Sequence, residues 1–89
     1  MIEIAFSPLF ERNFRKRFKG NPQLQEKFWQ RVELFLENPF DSRLKTHKLT
    51  GHLKELWSFS VSYDTRVIFY FMTNEKVVFV DIGTHDEVY

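Results

Sequence analysis

Trp57-Ser58-Phe59-Ser60-Val61-Ser62-Tyr63-Asp64-Thr65-Arg66-Val67-Ile68-Phe69-Tyr70-Phe71-Met72 is the stretch that decides the fold. Trp57, Phe59 and Val61 alternate with three serines, the period-2 pattern of a strand with one apolar and one hydroxyl-bearing face. Tyr63-Asp64-Thr65 reads as a turn. Val67 to Met72 is apolar throughout, as a central strand buried on both faces is. Thr73-Asn74-Glu75 then turns the chain into a further strand from Lys76 to Ile82, which Gly83 ends.

Upstream the period changes. Ile2, Ile4 and Phe6 alternate as a short strand, and Ser7-Pro8 stops it with a good N-cap followed by the residue best tolerated at the first helical position. Phe10, Phe14 and Phe18 recur at four-residue spacing on one helix face. Lys19-Gly20-Asn21-Pro22 ends that helix and starts a second, whose stripe is Leu24, Phe28, Val32, Phe35 and Leu36. Asn38-Pro39 closes it. Pro39 to about Lys54 shows neither period and is polar and basic, a long connection of the kind that is commonly functional. The order is β-α-α-β-β-β, an α+β fold in which a helical hairpin packs on a mainly antiparallel sheet of three or four strands. Phe10, Phe14, Phe18, Phe28, Val32 and Phe35 are expected between the layers, and Trp29 and Trp57 in the core or at its edge.

Eighty-nine residues, 43% hydrophobic and 18% aromatic, suffice for one domain, residues 1–89, with one core. The absence of cysteine excludes disulfides, thiolate metal sites and a thiol nucleophile. There is neither a signal-peptide pattern nor a membrane-length apolar run, so a cytoplasmic protein without a membrane partner is expected.

The net charge of +1 conceals an uneven distribution. Between Glu11 and Arg31 seven basic residues face two acids, and between Ser42 and Lys54 four basic residues face none. From Glu55 onward six carboxylates outnumber Arg66 and Lys76. A polyanion would meet a positive face. The plainer reading of the first cluster, a solvated helix surface, stands beside it.

Three histidines fall in two places, His47 and His52 in the basic connection and His85 past the last strand. Histidine exchanges protons near neutrality, so two can serve as base and acid. Metal-free RNA cleavage needs a base for the ribose 2′-OH, cations for the phosphorane, and an acid for the leaving 5′-oxygen. His47, His85, Arg66 and the loop lysines Lys45, Lys48 and Lys54 supply each part. The alternatives are plain surface histidines, an Arg66 paired with Asp64 or Asp81, and a Tyr89 that merely covers the core edge. No metal or cofactor is expected, because His47, His52, His85 and Asp86 match no standard ligand spacing.

Thr46-His47-Lys48-Leu49-Thr50-Gly51, Leu56-Trp57-Ser58, Tyr63 to Phe69, and Asp81-Ile82-Gly83-Thr84-His85-Asp86-Glu87-Val88-Tyr89 together resemble the RelE/ParE superfamily of toxins, nearest its plasmid-stabilisation and YafQ-like branch. The likeness spans essentially the whole chain. It implies a microbial RNase-like fold that enters the ribosomal A site and cleaves mRNA there. It makes His47 the general base, Arg66 the contact to the scissile phosphate, His85 the general acid and Tyr89 a substrate-placing aromatic. Asp64 matches an acidic residue of the branch and joins the RNA-binding set. The chain departs from the pattern at Ser60, where YafQ-like members carry another active-site histidine, and in its low net charge.

ParE-like members share the fold, lack this acid/base set and poison DNA gyrase, which makes an inhibitor the competing reading and an inactive interaction module a third. Either toxin reading implies a small cognate antitoxin that wraps and neutralises the domain in a hetero-oligomer.

Overall fold

A computed structural model of the chain describes residues 2–51 and 55–89. It is an α+β fold. Strand β1 (Glu3–Phe6) leads into helices α1 (Pro8–Phe18) and α2 (Pro22–Glu37), then strands β2 (His47–Lys48), β3 (Trp57–Ser60), β4 (Thr65–Phe71) and β5 (Lys76–Thr84), and a closing turn of helix, α3 (His85–Val88). The sheet runs β1-β5-β4-β3-β2, with β1 parallel to β5 and the remaining pairs antiparallel.

The helix starts follow from local chemistry. Ser7 Oγ accepts from Phe10 N at 3.0 Å and Asn21 Oδ1 from Leu24 N at 3.2 Å, each with proline just inside the helix. Gly20, between the helices, holds φ +71°, a left-handed conformation that costs it no steric penalty. Ser7 does a second job. Its hydroxyl donates to Val80 O at 2.7 Å, and Val80 is the residue skipped where β5 bulges between Asp81 and Phe79. The N-cap of α1 thus anchors the first helix on the bulge.

Phe10, Phe18, Phe28, Val32 and Phe35 are buried between the helices and the sheet, where they meet Phe59, Val67, Phe69, Val77 and Phe79. Phe35 sits over the centre of the sheet, its ring 5.2 Å from Phe59, 5.1 Å from Phe69 and 5.5 Å from Phe79. Such tilted and edge-on pairs suit the ring quadrupole better than face-to-face stacks.

Several expectations are corrected. Phe14 is only partly buried, because it closes the open side of the helical hairpin against Phe18, Phe28 and Trp29. Of the two places expected for Trp29, the core or its edge, it takes the edge, 44% exposed against Phe14 and Phe28, since it follows Phe28 by one position and points off the buried stripe. The sheet has five strands, not three or four. The added strand, β2, is two residues long, too short to show any period, and is set by pairing with the edge of β3. Gly83 does not end β5, which continues to Thr84, and α3 then folds back against β5 and β4.

Candidate active site

Antiparallel partners share a face of the sheet, and the registers His47↔Ser58, Ser58↔Ile68 and Ser60↔Arg66 place His47, Ser58, Ser60 and Arg66 together on the hydroxyl-bearing face, opposite the phenylalanine core. Gly83 pairs with Arg66 on the other side. A Cβ on Gly83 would come within 2.9 Å of Glu87 Oε1 and 3.2 Å of Val88 Cγ1, so the missing side chain is what lets α3 lie down here.

A reciprocal capping box holds α3 in place. Thr84 Oγ1 accepts from Glu87 N at 3.2 Å, and Glu87 Oε1 accepts from Thr84 N at 2.7 Å. The backbone N–H of Thr84 holds the Glu87 carboxyl below its ordinary value; desolvation opposes this, and the Thr84 hydroxyl and the Arg17 charge assist it. The turn delivers Tyr89 onto the sheet, where its hydroxyl donates to Ser58 Oγ, and Ser58 is fully buried. The Tyr89 ring lies between two imidazoles, 4.4 Å centre to centre from His85 and 6.4 Å from His47, edge-on to both. Two histidines separated by almost forty positions of sequence therefore flank one aromatic ring.

His47 Nδ1 lies 3.1 Å from Lys45 O, and a carbonyl only accepts, so in the neutral imidazole Nδ1 carries the proton and Nε2 holds the lone pair. Lys45 ends a 3-10 turn, Ser42–Leu44, in the left-handed conformation at φ 54°, which costs a side-chain-bearing residue about 1–2 kcal/mol and aims its carbonyl at the imidazole. His85 is exposed, with Asp86 Oδ1 3.7 Å from its Nδ1.

Arg66 pairs with neither Asp64 nor Asp81. Its Nη1 alone is used, donating to the carbonyls of Ser62 at 2.7 Å, Tyr63 at 3.1 Å and Thr65 at 3.3 Å. Nη2 and Nε have no partner among the described residues, so the guanidinium is pinned by one nitrogen and offers the others. Asp64 is committed elsewhere, accepting from Arg17 Nη2 at 3.2 Å and from Ser62 Oγ at 3.1 Å. Desolvation alone would raise its carboxyl, but the Ser62 hydrogen bond and the Arg17 charge outweigh it and hold it below its ordinary value. Asp81 accepts from Asn13 Nδ2 at 2.7 Å.

These side chains border an open groove of about 570 Å³ that runs from Arg66 and His85 past Ser60 and Lys45 to Arg43 and to Lys27 and Arg31 of α2. Arg43 is clamped by Asp41, which accepts at 2.8 Å and 3.0 Å, and the side-chain bond from Arg43 brings the Asp41 carboxyl down to about 2. Arg31 reaches Arg43 O at 3.2 Å. Lys27, Arg31, Arg43, Lys45 and Arg66 against Asp64 and Asp86 give the groove a net positive lining.

Of the residues singled out from sequence, the groove gathers Lys45, Asp64, Arg66 and His85. His47 and Tyr89 join its margin through ring contacts. Lys48 pairs with Trp57 and so emerges on the opposite face from His47. Lys54 and His52 lie outside the described residues. The sequence reading counted Lys27, Arg31 and Arg43 in its basic clusters without placing them at the site, since their approach depends on the packing of α2, and it missed Ser58, although its hydroxyl-bearing face was visible. It also missed α3, whose Thr84-x-x-Glu87 spacing is a capping-box pattern legible in sequence.

A family model described as bacterial toxin of type II toxin-antitoxin system, YafQ, matches residues 2–89. The fold is similar to that of the crystal structure of YafQ from E. coli strain BL21(DE3), with 21% identity, a TM-score of 0.81, and 100% of this chain and 99% of that one covered. It is similar to the YoeB/ParE toxin from Agrobacterium tumefaciens, with 13% identity, a TM-score of 0.80 and 94% and 99% covered. It is also similar to the toxin in the E. coli DinJ-YafQ toxin-antitoxin complex, with 21% identity, a TM-score of 0.78 and 99% and 97% covered. Among curated proteins no sequence matches significantly. At these identities the structural likeness is one of fold.

Proposed function

The chain belongs to the family of type II toxin-antitoxin toxins that includes YafQ, and from that premise we propose that it is an endoribonuclease that cuts mRNA in the ribosomal A site without a metal. His47 Nε2 takes the proton of the ribose 2′-OH. The oxygen attacks the adjacent phosphorus, and Arg66 bears the added charge of the phosphorane while Lys45 binds the RNA backbone. The bond to the 5′-oxygen breaks as His85 supplies its proton, leaving a 2′,3′-cyclic phosphate on one fragment and a 5′-hydroxyl on the other. Tyr89, fixed by Ser58, offers its ring to a base.

The observation that carries this reading is the bond between His47 Nδ1 and Lys45 O, which leaves Nε2 basic on the same face as Arg66 and beside the ring that His85 also touches. Lys48, which lies outside the groove, and Lys54 complete the RNA-binding set. The cognate antitoxin is a small acidic protein that covers the groove, as the E. coli relative is found with DinJ. Its binding weakens as salt rises.

Inducible expression in bacteria tests the reading, with mRNA ends mapped and plasmid supercoiling followed in the same cultures. Discrete new 5′ ends within translated codons at unchanged supercoiling support it. Altered supercoiling with intact mRNA removes it in favour of gyrase inhibition.

A further inference from the structure

Arg17 belongs to a basic run on α1, yet it does not share the fate of its neighbours. Arg15 and Lys16 are exposed, whereas the Arg17 side chain is 23% exposed and its Nε is buried without a partner among the described residues. Its two terminal nitrogens reach two different segments. Nη2 donates to Asp64 Oδ2 at 3.2 Å and to Thr65 Oγ1 at 2.8 Å, and Nη1 lies 3.9 Å from Glu87 Oε1.

Those segments carry the two halves of the site. Asp64 lies in the β3–β4 turn, whose carbonyls at Ser62 and Tyr63 hold Arg66 Nη1. Glu87 closes the cap of α3, which presents His85 and Tyr89. One guanidinium, rooted in the helix layer, thus spans the gap between the phosphate-binding arginine and the acid. We propose that Arg17 is a positioning residue that fixes the distance between Arg66 and His85. The inference rests on the RNA-cleaving reading of the groove.

The magnitudes separate positioning from bulk stability. Asp64 and Glu87 are 62% and 59% exposed, and ion pairs to such carboxylates add little to folding. Misplacement of a reacting group by about 1 Å, in contrast, can cost about 10²-fold in rate. Lysine cannot replace the fork, because a single ammonium serves the Asp64 arm or the Glu87 arm but not both.

The test compares Arg17→Gln and Arg17→Lys with the unaltered protein by thermal unfolding, by steady-state cleavage, and by the NMR shifts of the His85 ring protons, which sense the Tyr89 ring current without any RNA. Arg17→Gln is expected to melt close to wild type, to lose kcat by about 10²-fold at little change in KM, and to lose the Tyr89-induced shift at His85. Arg17→Lys is expected to recover part of both. A folded Arg17→Gln with unchanged kcat and unchanged His85 shifts overturns the proposal. If Arg17→Gln does not fold, the Asp64→Asn/Glu87→Gln double variant decides, since it removes both ion pairs of Arg17: altered His85 shifts support positioning and unaltered shifts overturn it. Should the wild type cleave no RNA, the functional reading fails while the His85 shifts still decide whether Arg17 positions α3.

Discussion

Gly83 and Glu87 stand so close that a β-carbon on the glycine would lie 2.9 Å from the carboxylate that caps α3 and 3.1 Å from that residue's own Cβ. Glycine is required at this point for space, not for a left-handed backbone. Gly83→Ala should therefore lift α3 while leaving the core intact. Stability should fall by about 1 kcal/mol, the low end of overpacking, while cleavage falls by about 10²-fold because His85 and Tyr89 move together. Chemical denaturation and a cleavage assay on the same sample measure both.

The cap of α3 is also a titrating device. Glu87 has a folded-state carboxyl below its ordinary value of 4.5, so the stability it contributes is present above that value and is lost as pH falls through the depressed folded value. Docking of α3 should accordingly weaken below about pH 4.5, before the aromatic core unfolds. Far-UV circular dichroism for the core and His85 ring shifts for the cap should separate in a pH titration. Glu87→Gln should abolish the early step.

Lys45 combines a strained backbone with a charge, and the two can be separated. Lys45→Gly should relieve the left-handed conformation and stabilise the protein by up to about 1 kcal/mol, with the unfolded glycine's extra freedom returning part of the gain. The carbonyl that fixes the His47 tautomer remains, so kcat should change little, while loss of the cation raises KM. A large fall in kcat would show that the side chain, not the carbonyl, serves the reaction.

The three groups assigned to the chemistry should respond alike. His47→Ala and His85→Ala should each reduce cleavage by about 10²–10⁴-fold, the usual value of a placed proton-transfer group. Arg66→Ala should remove about 3–4 kcal/mol of transition-state stabilisation. His52→Ala should do much less. Single-turnover kinetics on ribosome-bound mRNA provide the comparison.

Much of this is legible in the sequence. The four-residue phenylalanine stripe of α1 and the apolar run of β4 determine which faces meet, and the serine alternation of β3 marks the face that carries the groove. What sequence could not supply follows from contacts without a local signature. The two-residue β2 has no period, Trp29 differs from Phe28 only by one helical position, and Arg17 is indistinguishable in sequence from Arg15. Its inward turn depends on two carboxylates about fifty and seventy residues away, brought near only when the sheet forms.

The attack by a ribose 2′-OH is the centre of the account, and one substrate tests it most directly. Messenger RNA carrying a single 2′-deoxy sugar immediately 5′ to the cut, bound in the A site of ribosomes, should resist cleavage by the intact protein in chelator, while the all-ribose control is cut to a 2′,3′-cyclic phosphate. Cleavage of the deoxy target at the control rate would contradict the mechanism, because no nucleophile from the RNA would then be needed.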